Sequence, residues 1–253
     1  MDCTTTHENT PLHNIEIILI GTISSSNIGS VARAMKNMGL FRLKLVNPRC
    51  KIDDKAFWMA TCGSEILDAA RFYQSLKEAL SGSSYAFGTT ARSRRWRSAV
   101  LPSEMAKKTA DLVCNNKISI VFGPEDMGLS NDDLELCHEI VSIPTVDIAS
   151  SINLSHAVMI ICYEIYCAVC TNPGTDKAME LAQSDFVEAM YDHMRDALLE
   201  IGFLNQQKPD HTLGMMRRIL TRTGLSVRET NMIRGLFRQL RWYVKNKKTK
   251  RCQ

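Results

Sequence analysis

The sequence predicts an α/β protein with a mostly parallel sheet, on three observations. Short runs rich in Ile, Val and Leu alternate with helical stretches through the first two thirds of the chain. Those runs are apolar throughout rather than on alternate residues, as expected of strands buried on both faces. Beyond a break at Thr171–Thr175 (TNPGT) no strand signal returns. The fold class is therefore a helix-covered sheet followed by a small all-helical extension.

Ile15–Gly21 (IEIILIG) is the first buried strand. A polar turn over Thr22–Ser26 leads to a helix from Asn27 to Met38, which Gly39 stops. Arg42–Val46 is the next strand, closed by Asn47 and Pro48. Helical sequence runs on to Leu80, then Tyr85–Gly88 is a strand. Pro102–Asn115 is a helix with proline at its start, and Lys117–Phe122 is a strand. Ser130 and Asp133 form a capping box for a short helix ending at Cys137. Glu139–Ile143 is a strand halted by Pro144, and Asn153–Val169 is a long apolar helix. Two more capping boxes, Asp185 with Glu188 and Ser226 with Glu229, open helices near 186–200 and 227–246. A third helix covers Leu213–Thr223. The chain thus divides into a flexible tail (1–13), an α/β domain (14–170), a linker (171–182) and a helical extension (183–253).

Composition narrows the class. The 253 residues are 45% hydrophobic and 23% charged, which excludes disordered, collagenous and coiled-coil proteins. No apolar run approaches the roughly 20 residues of a membrane helix. Met1–His13 lacks the basic start and apolar centre of a signal peptide. Nine cysteines are scattered singly; Cys167 and Cys170, the close pair, have no second Cys/His pair to make a zinc site. No metal is expected, and so many free thiols point to the cytoplasm.

The charge is unevenly placed. The net is only +4, but Lys208–Arg251 carries 13 basic and 2 acidic residues, leaving −7 for the remainder. On the last helix Ile233, Leu236, Leu240 and Tyr243 make an apolar stripe, with Phe237 and Val244 beside it. Arg234, Arg238, Arg241, Lys245 and Lys248 make a second stripe at the same spacing. A ladder of cations for a polyanion and an ordinary solvated face are equal readings of this helix by itself.

Common nucleotide signatures are missing: there is no GxGxxG after the first strand, no GxxxxGK[ST] and no GxSxG. Three segments instead follow strands, where open α/β sheets place ligands. They are Asn27–Gly39 (NIGSVARAMKNMG), Val121–Ser130 (VFGPEDMGLS) and Ser150–Glu164 (SSINLSHAVMIICYE). In order and spacing these three segments resemble motifs 1, 2 and 3 of the SpoU branch of the SPOUT RNA methyltransferases. Within that family the chain is most similar to tRNA ribose 2′-O-methyltransferases acting on nucleotide 32 of the anticodon loop. The likeness includes Gly88–Arg95 (GTTARSRR) and EIGFL at Glu200–Leu204, and spans all but about the first dozen residues.

The resemblance implies a knotted domain, S-adenosylmethionine as cofactor, tRNA as partner and a homodimer. It implies catalytic-centre roles for Asn27 and Arg33 in the first segment, Glu125 in the second, and Ser151 and Asn153 in the third. For the cofactor it implies contacts from Thr89, Thr90, Ala91, Gly123, Ile143, Ser150, Ser151 and Ile152; Thr90 stands where the family commonly has Ser, keeping the hydroxyl. Taken singly, Asn27 and Asn153 also suit helix caps, and Gly123 a strand end. Arg92, Arg94, Arg95 and Arg97 crowd a loop with Trp96, a combination suited to phosphates and unstacked bases. With Arg234, Arg238, Arg241 and Lys245 they form the expected RNA surface. The rivals are a ribosomal-RNA methyltransferase of the same branch and a non-catalytic RNA-binding protein retaining the fold.

Ribose methylation requires a hydroxyl to attack a sulfonium methyl in line while losing its proton. The resemblance gives Arg33 the base role, yet a guanidinium titrates near 12.5–13.8, roughly five units above neutrality. Two roles stand open for Arg33: proton acceptor, with a substrate phosphate as relay, or stabiliser of the developing alkoxide.

Overall fold

The computed structural model describes residues 10–91, 98–146, 151–171, 179–205, 209–221 and 224–250. They fall into two compact units, one up to Met179 and one from Glu180.

The first unit is built on seven parallel strands: β1 (Ile15–Ile20), β2 (Arg42–Val46), β3 (Arg71–Tyr73), β4 (Tyr85–Thr89), β5 (Ala99–Val100), β6 (Ile118–Phe122) and β7 (Glu139–Val141). Their order across the sheet is β3-β2-β1-β6-β4-β7-β5. The predicted parallel α/β architecture is what the chain adopts. β1 lies between β2 and β6, pairing Ile18 with Lys44 on one side and with Val121 on the other. Alternation along the strands sends Ile17 and Leu19 to one face, Ile18 and Ile20 to the other.

The helices are α1 (Ser25–Asn37), α2 (Asp54–Ala60), α3 (Ser64–Asp68), α4 (Leu76–Ala79), α5 (Pro102–Leu112), α6 (Asn131–Glu135) and α7 (Leu154–Thr171). One side of the core joins Ile18, Val46, Ala86, Val121 and Ile140 of the strands to Leu76 and Ala79 of α4 and Leu134 of α6. The mutually packed helices α1, α2, α5 and α7 bring Ile28, Val31, Met35, Met105, Val158 and Ile161, all fully buried. The close packing of α2 and of the turn after it on α1 needs two small residues. A Cβ on Gly29 would lie 2.0 Å from the Ala56 carbonyl oxygen, and one on Gly63 would lie 2.9 Å from the Arg33 nitrogen.

Several elements depart from expectation. Among the described residues, regular structure begins with a 3₁₀ turn at Pro11–Asn14, overlapping the segment expected as a flexible tail, and Leu12 there is buried. β3 and β5 are strands that the sequence hides: with three and two residues and mostly exposed side chains, they carry no hydrophobic period. The stretch to Leu80 is therefore broken by β3 rather than continuously helical. The capping box of Ser130 and Asp133 forms, with Asp133 N–H donating to Ser130 Oγ at 3.1 Å.

The second unit comprises α8 (Ser184–Glu200), α9 (Pro209–Thr221) and α10 (Val227–Lys250). Met190, Met194, Leu198 and Phe237 are its buried centre, with Ile233 and Leu240 packed against them. Leu236 and Tyr243 leave the apolar stripe expected to be buried on α10: they are 58% and 51% exposed, because the buried face centres on Phe237. The Ser226–Glu229 box forms, Ser226 N–H donating to Glu229 Oε2 at 2.8 Å. The Asp185–Glu188 box does not. Helix α8 starts earlier, after Gln183, and Glu188 takes Arg217 of α9 in a two-pronged ion pair of 2.5 and 2.9 Å.

Candidate active site

Strands β6, β4 and β7 are neighbours, so the loops at their carboxyl ends meet at one edge of the sheet. There they enclose a cavity of about 330 Å³. Its lining comes from Thr89–Ala91 after β4, Phe122–Leu129 after β6, Val141 and Ile143 of the β7 end, and Ser151, Ile152, Leu154 and Ala157 entering α7. Four stretches of the chain thus wall one chamber.

The loop after β6 owes its shape to two glycines. A Cβ on Gly123 would fall 2.3 Å from the Gly128 carbonyl carbon and the Leu129 nitrogen, so the loop folds back on itself only with glycine there. Gly128 has φ +67°, and its N–H donates to the Pro124 carbonyl at 2.8 Å. This tight return points Glu125 across to the loop between β1 and α1.

Glu125 is held from three directions. Its carboxylate accepts from the Ile23 N–H at 3.0 Å, the Ser24 N–H at 3.4 Å and Asn27 Nδ2 at 2.8 Å. Asn27 Oδ1 accepts from Asn153 Nδ2 at 3.3 Å, and Asn153 Oδ1 accepts from the Ser155 N–H at 2.9 Å. The orientation of both amides follows: a carboxylate only accepts, so Asn27 must present its NH₂ there and its oxygen to Asn153. Asn153 therefore caps α7 and reaches the first loop together. Asn27, three residues into α1, is not the cap; Ser24 holds that position. Burial pushes the nearby Cys50 thiol up, and the Glu125 and Asp53 carboxylates push it further in the same direction.

The predicted residues distribute as follows. Glu125 and Ser151 line the cavity, and Asn27 and Asn153 are linked to Glu125. Of the expected cofactor contacts, Thr89, Thr90, Ala91, Gly123, Ile143, Ser151 and Ile152 all line the cavity; Ser150 lies outside the described residues. The Thr89 hydroxyl also donates to the Val121 carbonyl at 2.9 Å, bracing β4 against β6. Arg33 lies on α1 about 1.7 turns beyond Asn27, on another side of the helix. It is exposed, and among the described residues it has no hydrogen-bond or ion-pair partner. Sequence reasoning missed Asp126, Met127 and Leu129, although they fall inside the second segment. It also missed Arg49, whose guanidinium crosses from the loop after β2 to Asp126 at 3.0 Å.

Arg92, Arg94, Arg95 and Arg97 lie outside the described residues. On α10, Arg238 and Lys245 are exposed. Arg241 is bound to Glu200 at 2.8 Å and Asp196 at 3.2 Å, and Arg234 sits 4.8 Å above the Phe186 ring.

The sequence pattern of the SpoU rRNA Methylase family matches residues 14–163. The chain belongs to this family. Residues 185–251 match the C-terminal domain of the tRNA methyltransferase TrmJ, so a SpoU domain is followed here by a TrmJ-type extension. The chain is 38% identical to a tRNA (cytidine/uridine-2′-O-)-methyltransferase TrmJ of Salmonella choleraesuis, across 93% of this chain and all of that one. It is 36% identical to a TrmJ of Escherichia coli, across 94% and 99%. Among solved structures, TrmJ from Z. mobilis superposes with a TM-score of 0.78 at 29% identity, covering 89% of this chain and 98% of that one. A probable methylase family protein from Haemophilus influenzae gives 0.62 at 32% identity, covering 93% and 99%. These likenesses extend through the extension as well as the SpoU domain.

Proposed function

We propose that this protein is an S-adenosylmethionine-dependent tRNA (cytidine/uridine-2′-O)-methyltransferase that modifies the ribose of nucleotide 32 in the anticodon loop. The observation that carries this reading is convergence. The second and third motif segments line one cavity, and Asn27 of the first is hydrogen-bonded to Glu125 and to Asn153, 126 residues away. Full-length relatives bearing that enzyme name, and a TrmJ-type extension, support tRNA over ribosomal RNA as substrate.

The cavity suits the cofactor. Its volume of about 330 Å³ falls in the range of small-molecule sites. Ile143, Ile152 and Leu129 offer apolar walls for a nucleoside, and the Gly123–Gly128 turn lets main chain approach closely. Bound there, S-adenosylmethionine supplies an electrophilic methyl group. The protein's task is to place a ribose hydroxyl in line with it and manage the proton. Glu125, Asn27 and Asn153 fix the first loop relative to the cavity. Ser151 sits on the cavity wall, within the reach of a bound ligand.

Arg33 supplies the charge at the reacting oxygen. Its position off the cavity's own side of α1 supports a homodimer in which Arg33 serves the site with the help of a second subunit. The exposed Tyr163 and Tyr166 of α7 offer apolar area for such an interface. The SpoU domain, 14–170, carries the knot of its family in this reading, and 183–253 holds the tRNA with its surplus of cations. Cytoplasmic residence fits a chain with nine cysteines and a substrate made there.

Incubation of the wild-type protein with labelled S-adenosylmethionine and tRNA lacking ribose methylation is expected to label nucleotide 32. Label elsewhere, or in ribosomal RNA alone, overturns the assignment. Arg33→Lys keeps a positive charge and loses the planar fork. Single-turnover methylation is expected to fall roughly a hundredfold or more, the scale of losing one preorganised donor at a developing oxyanion. Near-wild-type turnover removes the guanidinium from the mechanism.

A further inference from the structure

Helix α2 has an apolar surface that the fold does not use. Its packing against α1 is carried by Ala56 and Ala60, both fully buried. The neighbouring Phe57 and Trp58 are exposed, Trp58 at 76%, and Met59 is partly so although its Cβ lies against Gly29 of α1. A tryptophan left in water on a seven-residue helix contributes little to its own domain, and such side chains mark binding surfaces.

The position of this helix is tightly set. Gly29 and Gly63 bring α2 and the turn after it against the backbone of α1 between residues 29 and 33. Asp53 caps α2 by accepting from the Ala56 N–H at 3.2 Å, and a hydrogen bond from Ser25 at the start of α1 holds its carboxyl below the usual range. Helix α2, which carries the aromatic step on its exposed side, and the turn after it therefore lie along the stretch of α1 that bears Arg33. Lys51 and Lys55 flank the aromatic step and are exposed. Asp53 is taken up in the cap, and Asp54 lies in the first turn, where a carboxylate complements the helix dipole.

Resting on the methyltransferase reading above, we infer that Phe57 and Trp58 form a stacking platform for an unpaired base next to the target nucleotide, with Lys51 and Lys55 on its phosphates. Aromatic faces flanked by cations are the means by which proteins grip single-stranded RNA without reading sequence. An anticodon loop offers unpaired bases on both sides of a ribose presented to Arg33. The platform then sets which ribose enters, because a stacked neighbour fixes the register of the loop.

The test uses the full-length protein, S-adenosylmethionine and two RNAs, an anticodon stem-loop and a fully paired hairpin of the same length. Trp58→Ala is expected to weaken stem-loop binding roughly tenfold while leaving hairpin binding unchanged. Cofactor affinity and sedimentation stay at wild-type values. Trp58→Tyr, which keeps an aromatic face, is expected to recover most of the loss. Trp58→Leu, which keeps apolar area without a ring, is expected to resemble Ala. If Leu rescues as well as Tyr, or if the Ala variant changes oligomeric state, the surface is a contact with a second copy of the chain and the inference fails. Unaltered stem-loop affinity in all variants also overturns it. A wild-type protein that methylates no tRNA overturns the broader reading instead, so the two failures are distinct.

Discussion

Glu125 is the residue on which the site's geometry turns. It accepts from two backbone amides and one side-chain amide, so its role is to hold the first loop and Asn27 in place. Glu125→Gln puts an NH₂ group where only acceptors are wanted. Leaving such donors unmatched costs about 1–3 kcal/mol, and methyl transfer in single-turnover assays is expected to drop roughly 5- to 150-fold, since each 1.36 kcal/mol is tenfold in rate. Wild-type rates in that variant make the network ornamental. The residues of this network were readable in the sequence because each sits within a short ordered segment. Their mutual contacts were not, since they join positions about a hundred residues apart. Asn27 shows the difference: in one dimension a helix cap was the strong reading of this residue alone, and the start of α1 at Ser25 removes it. Arg49 gave no signal at all, being an ordinary exposed arginine until the fold sets Asp126 opposite it.

Among the elements, β1 contains an anomaly that its pattern conceals. Glu16 lies inside an apolar strand and is buried, paired with Lys44 of β2 at 2.6 Å. Lys44 Nζ also donates to the Ala79 carbonyl at 2.6 Å and lies 5.4 Å from the centre of the Tyr73 ring. Ser119 of β6 donates to Glu16 from the other side at 3.4 Å. Three adjacent strands are thus tied through one carboxylate, which opposes slippage of their register. Glu16→Ala leaves a buried ammonium without its carboxylate and is expected to lower stability by about 3–5 kcal/mol. The double variant Glu16→Met with Lys44→Met is expected to lose much less, as read from urea denaturation midpoints. An equal loss in both removes the pairing argument. Long strands such as β6 were legible because every position is buried; β3 and β5, at the sheet's edges, were not, because pairing alone makes them.

At the scale of the molecule, the described residues form two units with separate cores. Charge is unevenly shared between them, +6 for 180–253 against −2 for 1–179, with the cations concentrated from Lys208 onward. A chain ending after Met179 is expected to bind S-adenosylmethionine within about twofold of the full protein, but to lose most of its tRNA affinity and the salt dependence that accompanies phosphate contacts. Filter binding across a salt series and calorimetry with the cofactor measure both. Unchanged tRNA affinity in the shorter chain places the RNA grip wholly in the SpoU domain. The extension's basic character was plain in its composition. Which cations face RNA was not, because Arg241 and Arg234 have partners within their own unit.

The bond between Asn27 and Asn153 has a consequence for the order in which the protein comes into being. The two residues stand 126 positions apart, and the second belongs to the last helix of the first unit. A nascent chain that has released β1, α1 and β6 still lacks the partner that completes this network. Contacts between such distant positions also close late in folding, because the loop between them must be ordered first. The hydrogen-bond network around Glu125 is therefore completed only when the first unit has been made as far as the start of α7.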